Sequence, residues 1–397
     1  MLVGAACLGL FLAYLCGERL ALDRARRRVP RRVCVTGTRG KSSVTRLIAA
    51  ALREQGEVVL AKTTGSRPML ILPDGTERDI PRAGPPSLLE QKRLLRLAAR
   101  LGARTLVAEM MSIRPESLAV ESRRLLKAGL VAVTNVRLDH LDLMGRTRAE
   151  VAASLTAAFP DGGEIFFPAE EREPAFDRAA AERGARLLPL PALGHPGRPA
   201  PTLPYPEFEA NIRLALGVAS RLGVAEEVAR RGMAGVKPDL GSLKVWRVET
   251  GTPPQKVWLA SAFAANDPAS SLEAVGRVLD IIPAREPRLA AVLNLREDRG
   301  DRSRQWLDTL FQGRLAAFER LFVVGGHARA FVRIAAKGRA GGRPSIHLLS
   351  GASPEVITAS AAGAAGDGGI IIGLGNMGGL GEGLVAYWSR IGRAHGH

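Results

Sequence analysis

Cysteine is scarce in this chain of 397 residues, which contains three: Cys7, Cys16 and Cys34. Two of them lie in an apolar N-terminal segment, so the sequence does not fit a disulfide framework and does fit a reducing compartment. Aromatic residues are also few, at 5%. The sequence shows no basic stripe interleaved with aromatic residues and no zinc-finger spacing, so nucleic acid is not an expected partner.

Positive charge is in excess, with 56 Lys and Arg against 39 Asp and Glu. Two explanations stay open. The arginines are scattered along the chain, as codon usage alone would produce, or the basic surface serves a polyanionic substrate or an anionic membrane. The hydrophobic content of 46% is that of a globular protein. The length allows two or three domains.

The first 17 residues carry no charge, and seven arginines follow between Arg19 and Arg32. A cleaved signal peptide has its positive charges before the apolar run, whereas here they come after it. We therefore predict a transmembrane anchor over residues 1–18 and a basic tether over 19–32. The positive-inside bias places the rest of the chain in the cytoplasm, at the cell membrane. A buried core helix is the alternative.

A glycine-rich turn follows the apolar run VCVT at residues 33–36 and reads GTRGKSS. The common phosphate loop has Gly, four residues, then Gly-Lys-Ser/Thr, and here Val35 occupies the place of the first Gly. Apolar residues then recur at helical spacing from Val44 to Leu52. Strand, turn and helix predict a short phosphate loop. Lys41 would neutralise phosphate charge, and the Ser42 hydroxyl would reach Mg²⁺. A turn without a ligand is the alternative.

Polar residues end the next two apolar runs, at 105–112 and 130–136. Helical patterns at 87–101 and 115–128 alternate with these strands, which predicts a doubly wound parallel α/β sheet. Glu109, Asn135, Asp139 and His140 then lie at the strand ends, where ligands gather in such sheets. A carboxylate there suits Mg²⁺. His140 would act through water, although a lone histidine is more often structural.

These motifs together resemble those of the Mur ligases and the folylpolyglutamate synthetases: Gly-Thr-Xaa-Gly-Lys-Ser, a strand-end Glu, and Thr-Asn-Val-Xaa-Xaa-Asp-His-Leu-Asp. Over nearly the whole chain, the sequence is more closely similar to the ligase subunits of poly-γ-glutamate synthases. The similar segments occur in order at residues 37–47, 61–65, 84–92, 107–113, 135–145, 205–219, 261–272, 293–306 and 372–379.

The resemblance implies an ATP-dependent amide ligase that phosphorylates a carboxylate and then joins it to an amine. The implied substrates are glutamate, linked through its γ-carboxylate, and the growing poly-γ-glutamate chain. The implied partners are other membrane subunits of a synthase and export complex, together with a second copy of the chain in a homo-oligomer. Two alternatives stay open: a ligase of the folylpolyglutamate synthetase type, and a non-catalytic ATP-binding assembly subunit.

The resemblance also implies roles for individual residues. Lys41, Glu109 and His140 form the expected catalytic set, and Ser42, Glu109 and His140 the expected metal set. The expected ATP-binding residues are Thr38, Arg39, Gly40, Lys41, Ser42, Ser43, Asn135, Asn211 (near the adenine), Asn294, Arg296, Asp298 and Arg302. The role of Asn266 and Asp267 is left open.

Two departures from the Mur ligases stand out. Only 36 residues precede Gly37, so a nucleotide-sugar substrate has no expected binding domain. Ser154 occupies the place of the carbamylated Lys of many Mur ligases, which puts the second metal site in doubt.

We predict an ATP-binding domain at 33–240, a hinge at 236–244 and a Rossmann-like α/β domain at 241–397. The strands of the second domain are expected at 256–263, 289–294, 320–325, 345–349 and 369–374. The proline-rich stretch 188–206 is expected to be a loop.

Overall fold

The computed structural model describes residues 2–395, except 66–67, 82–86, 193–202, 204–206, 237–242, 252, 266, 284–285 and 339–343. The chain forms two compact units. The first unit comprises Met1–Leu203 and Phe208–Lys237, and the second comprises Pro204–Glu207 and Pro238–His397. Asn266, His195 and most of the predicted hinge lie outside the described residues.

The first unit is built on an eight-stranded sheet of order β4-β3-β2-β5-β1-β6-β7-β8. Its strands are β1 (Arg31–Thr36), β2 (Val59–Thr63), β3 (Met69–Ile71), β4 (Glu77–Asp79), β5 (Thr105–Glu109), β6 (Leu130–Val133), β7 (Glu164–Pro168) and β8 (Arg186–Leu190). All neighbours are parallel except at β3 and β4. The sheet confirms the predicted fold class.

Helices cover both faces of this sheet. They are α1 (Leu2–Arg28), α2 (Lys41–Glu54), α3 (Leu89–Arg100), α4 (Pro115–Ala119), α5 (Leu141–Met144), α6 (Arg148–Leu155), α7 (Pro174–Arg183), α8 (Glu209–Arg221) and α9 (Glu226–Ala234), with a π-helix at Val120–Leu126. The helices α2, α8 and α9 pack on one face, and α1, α3, α6 and α7 on the other. Since successive side chains of a strand point to opposite faces, Val33 and Val35 enter one core and Cys34 enters the other.

The helix α1 differs from the predicted anchor and tether, because it runs without interruption from Leu2 to Arg28. Residues 3–17 are exposed, and by length and composition the helix could cross a membrane. Beyond Glu18, Leu22 and Ala25 are buried in the core of the first unit. The segment expected to be a tether is therefore a docked helix followed by the start of β1. Burial of its few apolar residues in the core docks this helix on the first unit, although the segment is rich in arginine.

The proline-rich stretch also differs from the expected loop at its start, since Pro189 lies within β8. This strand is at the edge of the sheet, where a residue without an N–H group is tolerated. From residue 193 onward the stretch lies almost wholly outside the described residues.

The second unit has a seven-stranded sheet of order β13-β12-β11-β14-β10-β9-β15. Its strands are β9 (Lys244–Thr250), β10 (Gln255–Ser261), β11 (Leu289–Leu295), β12 (Arg320–Gly325), β13 (Ser345–Leu348), β14 (Ile370–Gly375) and β15 (Arg393–His395). Its helices are α10 (Pro268–Ile281), α11 (Gly300–Phe311), α12 (Ala328–Lys337), α13 (Pro354–Ala365) and α14 (Leu380–Ile391). The five strands from β13 to β10 are parallel, and β9 and β15 add an antiparallel edge.

Candidate active site

The candidate site of the first unit lies at the carboxyl ends of β1, β5 and β6. These strands are neighbours, with Val35 opposite Glu109 and Thr36 opposite Val133. The chain passes from β1 to one side of the sheet and later continues on the other side. Such a topological switch point leaves a crevice at the strand ends, where ligands bind in open α/β sheets.

The loop between β1 and α2 requires glycine at two positions. Gly37 has a φ of 121°, and a Cβ atom there would lie 2.1 Å from Oγ1 of Thr134. Gly40 has a φ of 74°, and a Cβ atom there would lie 2.6 Å from Oδ1 of Asn211. These backbone conformations are rarely adopted by other residues. The loop backbone therefore packs closely against Thr134 and Asn211. It leads into the N-terminus of α2, where backbone N–H groups bind anions.

Asn135, just beyond β6, fastens this loop. Its Oδ1 accepts the hydroxyl of Thr38 at 2.7 Å and the backbone N–H of Arg39 at 3.0 Å. The backbone N–H of Thr38 donates to the Asn135 carbonyl at 3.2 Å. The Thr38 hydroxyl also accepts the N–H of Arg137 at 2.9 Å. The contacts of Asn135 and Thr38 therefore hold the loop against the segment that follows β6.

Lys41 is the first residue of α2. Its Nζ donates to the carbonyl of Gly37 at 2.8 Å, so the side chain folds back over the loop. Burial lowers the pKa of Lys41, and the nearby carboxylate of Glu109 partly opposes that shift. An anion bound in the loop would favour the charged amine, because opposite charges at short range stabilise each other.

Ser42 and Glu109 form a close pair. The Ser42 hydroxyl donates to Oε2 of Glu109 at 2.7 Å, and the same oxygen accepts the backbone N–H of Thr64 at 2.6 Å. Glu109 is buried at the end of β5. A hydroxyl beside a carboxylate fits Mg²⁺, which binds few protein oxygens when phosphates and water complete its coordination. Within the residues that the structure describes, no group of three or more His, Cys, Asp or Glu side chains could hold a metal.

Asp139 joins the loop to His140. Its Oδ2 is 2.7 Å from Nη1 of Arg39 and 3.5 Å from Nε2 of His140. His140 has a φ of 48° at the start of α5, a conformation that is uncommon for residues other than glycine. The structure thus gathers Arg39, Asp139 and His140 at one corner of the site, and Ser42 and Glu109 form a separate pair on the same sheet edge.

Ser154, at the position of the expected carbamylated lysine, lies in α6. Its hydroxyl donates to the carbonyl of Met144 at 2.9 Å. The side chain therefore braces the turn between α5 and α6.

In the second unit, the predicted residues lie at the carboxyl end of β11. Asn294 is buried, and its amide donates to the carbonyl of Asn376 at 2.6 Å. Nη1 of Arg302 donates to Oδ1 of Asn376 at 2.9 Å. Arg296 makes a two-armed ion pair with Asp298, at 2.8 and 2.6 Å, and both side chains are well exposed. Arg296 also lowers the pKa of Asp298 through their hydrogen bonds.

Asn376 was not predicted to be a site residue, although it links Asn294 and Arg302. It lies in the segment 372–379, which carries part of the family resemblance, and a polar residue among glycines after an apolar run is the signal that could have identified it. Asp267, whose role was left open, accepts the backbone N–H of Ser270 at 2.9 Å and caps α10.

Comparison with known proteins identifies both units. Residues 35–187 match the Mur ligase middle domain, and residues 248–391 match the poly-gamma-glutamate synthase CapB C-terminal domain. The chain is 34% identical to the PGA synthase CapB of Bacillus subtilis over 281 residues, which cover 70% of each protein. The chain belongs to the CapB family of Mur ligases. Members of the Mur ligase family are ATP-dependent amide ligases, so the chain is a ligase of this type.

Other relatives agree with this assignment. The chain is 33% identical to the capsule biosynthesis protein CapB of Bacillus anthracis over 280 residues, which cover 70% of this chain and 60% of that protein. Among solved structures, E. coli FolC in complex with ADP has a TM-score of 0.66 at 18% identity, covering 97% of each chain. A bifunctional folylpolyglutamate synthase/dihydrofolate synthase from Yersinia pestis, complexed with AMPPNP and Mn ion, has a TM-score of 0.65 at 16% identity, covering 96% of this chain and 97% of that one. At such identities the likeness concerns the fold.

Proposed function

We propose that this protein polymerises glutamate through its γ-carboxylate, using ATP and Mg²⁺ and passing through an acyl-phosphate. The observation that carries the proposal is the Ser42–Glu109 pair, 2.7 Å apart, beside the glycine loop that opens α2. The name of the Bacillus subtilis relative, PGA synthase CapB, and the name of the family whose model matches residues 248–391 support the product, poly-γ-glutamate.

The first reaction step is phosphoryl transfer, in which a γ-carboxylate oxygen attacks the terminal phosphorus of ATP and ADP leaves. Such transfer depends on positioning and charge neutralisation more than on covalent help from the protein. The backbone N–H groups of residues 38–43 bind phosphate oxygens, and Lys41 offsets their negative charge. Ser42 and Glu109 would hold Mg²⁺, with His140 acting through water, and the bound ion would supply further neutralisation. In the second step an amine attacks the acyl carbon, and phosphate leaves.

The second unit contributes to nucleotide binding in this proposal. Asn294 and Arg302 are buried and tie the end of β11 to the loop after β14. Arg296 and Asp298 are exposed on the same strand end and are free to meet solvent or a ligand on their outer side. Asn211 contacts the phosphate loop at Gly40 and lies near the adenine in this assignment.

The charge of the chain supports the proposed substrate, and α1 supports the proposed location. A growing polyglutamate chain is a polyanion, and a protein with a net charge of +17 attracts it. The exposed apolar part of α1 crosses the cell membrane, and the units remain in the cytoplasm. Other membrane subunits of the synthase are the expected partners.

The test is an ADP assay on membranes that carry this chain with its natural partners. ADP and phosphate should form only when glutamate is present, and hydroxylamine should trap the activated carboxyl as γ-glutamyl hydroxamate. The Lys41→Ala variant is the matched control. Release of AMP and pyrophosphate would contradict the acyl-phosphate route. ADP formation without hydroxamate or polymer would instead favour an assembly subunit that hydrolyses ATP.

A further inference from the structure

The direction of α1 relative to the first sheet is fixed at both ends of its docked part. At its C-terminal end, Val29 leads directly to β1, which begins at Arg31. The guanidinium of Arg26 donates to the carbonyls of Arg124 and Leu125, at the end of the π-helix that precedes β6. Both β1 and β6 begin at the amino edge of the sheet. The C-terminal end of α1 therefore lies at the amino edge.

The helix α3 provides a reference for the opposite edge. Its first turn lies at the carboxyl end of β2, because Nζ of Lys62 is 3.2 Å from Oε2 of Glu90. Its last turn leads into β5, which begins at Thr105 on the amino edge. The helix α3 thus runs from the carboxyl edge to the amino edge.

Glu18 of α1 lies beside the middle of α3. Its carboxylate is 2.6 Å from Nη2 of Arg96 and 3.7 Å from Nζ of Lys92. Since Arg26 lies near the amino edge and Glu18 lies nearer the carboxyl edge, α1 runs in the same direction as α3. The residues that precede Glu18 continue past the carboxyl edge.

The segment that continues is apolar. It comprises residues 2–17, is helical throughout, and is exposed from residue 3 onward. About 16 residues at about 1.5 Å per residue extend about 24 Å beyond Glu18. The apolar segment therefore leaves the first unit on the side where the phosphate loop and Glu109 lie.

We propose that the carboxyl edge of the first sheet, with its phosphate loop, faces the membrane surface. The proposal rests on the membrane location given under the proposed function. A lipid bilayer is the occupant that fits the uncharged segment, and its headgroup phosphates fit the basic residues at the point of exit. Those residues are Arg19 and Arg93, both exposed, together with Lys92 and Arg96 beside Glu18.

The apolar segment and the docked segment form one continuous helix, which holds the unit close to the bilayer. Glu18 follows the last residue of the apolar segment and already contacts α3 through Arg96. A polymer extended at the carboxyl edge is thus made next to the membrane, and not on the far side of the unit.

The test measures the distance of two positions from the lipid. Cys7 and Cys16 are replaced by alanine, and Cys34 is kept because it is buried and its thiol has a raised pKa. Leu143→Cys places a fluorophore at the carboxyl edge after β6, and Arg104→Cys places it at the amino edge before β5; both residues are exposed. The matched variants are bound to vesicles whose headgroups carry an energy acceptor.

We expect several-fold greater energy transfer from position 143 than from position 104. The two edges are about 17 Å apart, from five residues at about 3.3 Å each, and transfer falls steeply over such a distance. Equal transfer, or greater transfer from position 104, would overturn the orientation. Failure of the chain to bind vesicles would overturn the membrane anchor itself, and a partner protein would then be the occupant of the apolar segment. Glutamate-dependent ADP formation, measured separately in detergent, reports on the proposed function alone.

A second variant tests whether the continuous helix α1 determines the orientation of the first unit relative to the membrane. Inserting Gly-Gly-Pro-Gly-Gly between Gly17 and Glu18 breaks α1 where it leaves the unit. Vesicle binding should persist, and the difference between the two labelled positions should shrink by at least half. An unchanged difference would mean that contacts other than α1 orient the unit, which would contradict the argument from the helix.

Discussion

Ser42 and Glu109 are 67 residues apart in the sequence, yet their side-chain oxygens lie 2.7 Å apart. The pairing of β1 with β5 brings them together, because Val35 is opposite Glu109 and α2 begins a few residues later. The same Glu109 oxygen accepts the N–H of Thr64, after β2. The carboxyl ends of β1, β2 and β5 thus converge on the Glu109 carboxylate.

Glu109→Gln should raise the Mg²⁺ concentration needed for half-maximal ADP formation by about tenfold or more, on the scale of weakened metal sites. The amide keeps an acceptor for Ser42 and Thr64 but loses the negative charge that a cation needs, so the fold should persist. Magnesium titrations of ATP turnover check this result. Asp161→Asn, which neutralises an exposed carboxylate in the same unit, is the control. Superimposable titrations of Glu109→Gln and the parent would remove Glu109 from the metal site.

Lys41→Ala should lower kcat by about 10²–10³, as does the loss of other electrostatic stabilisers of a transition state. The unfolding temperature should change little, since Lys41 is only half-buried as a residue at the start of α2, although its amine is covered by the loop at Gly37. Near-normal turnover would mean that another residue neutralises the phosphate charge.

The pH dependence offers a separate test of Lys41. Burial lowers its pKa in the free protein, from an ordinary value of about 10.4. The protonated form is the active one, so kcat/KM for ATP should fall as the pH rises through this lowered value. Lys41→Arg, which stays charged, should lose that alkaline decline even if its turnover is reduced. A decline that persists unchanged in Lys41→Arg would assign it to another group.

Gly40→Ala should weaken ATP binding and destabilise the first unit. A residue other than glycine costs about 1–2 kcal/mol in the left-handed conformation, and the new Cβ would also meet the Asn211 side chain at 2.6 Å. Gly56→Ala is the matched control, since Gly56 has a φ of 89° and a Cβ there would be more than 4 Å from the atoms that the structure describes. Calorimetric ATP titration and thermal unfolding measure both variants. Equal effects of the two would mean that Asn211 adds nothing at Gly40.

Arg296→Ala should reduce kcat/KM for ATP while leaving the unfolding midpoint nearly unchanged. Exposed ion pairs contribute little to stability, and Arg296 pairs with Asp298 in solvent. Arg288→Ala removes a similar two-armed exposed pair, with Glu319, at the opposite end of the same strand. Only the Arg296 variant should lose activity. Equal turnover in both variants would exclude Arg296 from the nucleotide site.

The sequence predicted the features that short stretches determine. The phosphate loop was recognisable because its glycines, Lys41 and Ser42 are adjacent, and the buried parallel strands because each is a continuous apolar run. The predicted strand at 320–325 coincides with β12, and the one at 289–294 is within one residue of β11.

Features that depend on distant partners escaped prediction. The docking of residues 18–28 uses partners around residues 92–98 and 124–125, which no local pattern reveals. The strand β15 is three residues long and, among the residues that the structure describes, pairs with β9. Asn376 acquires its contacts when β14 is placed beside β11. Asn266 and the greater part of the proposed hinge stay predictions.

Under the proposed membrane location, the uninterrupted course of α1 would make bilayer thickness a mechanical variable for this protein. The apolar segment and the docked segment belong to one continuous helix, so a force from the lipid on the first would be transmitted to the second. A bilayer thicker than the apolar segment would draw Glu18 toward hydrocarbon, against its ion pair with Arg96. Acyl-chain length would then be felt at α3, and through Lys62 and Glu90 at the end of β2, next to the strand that carries Glu109.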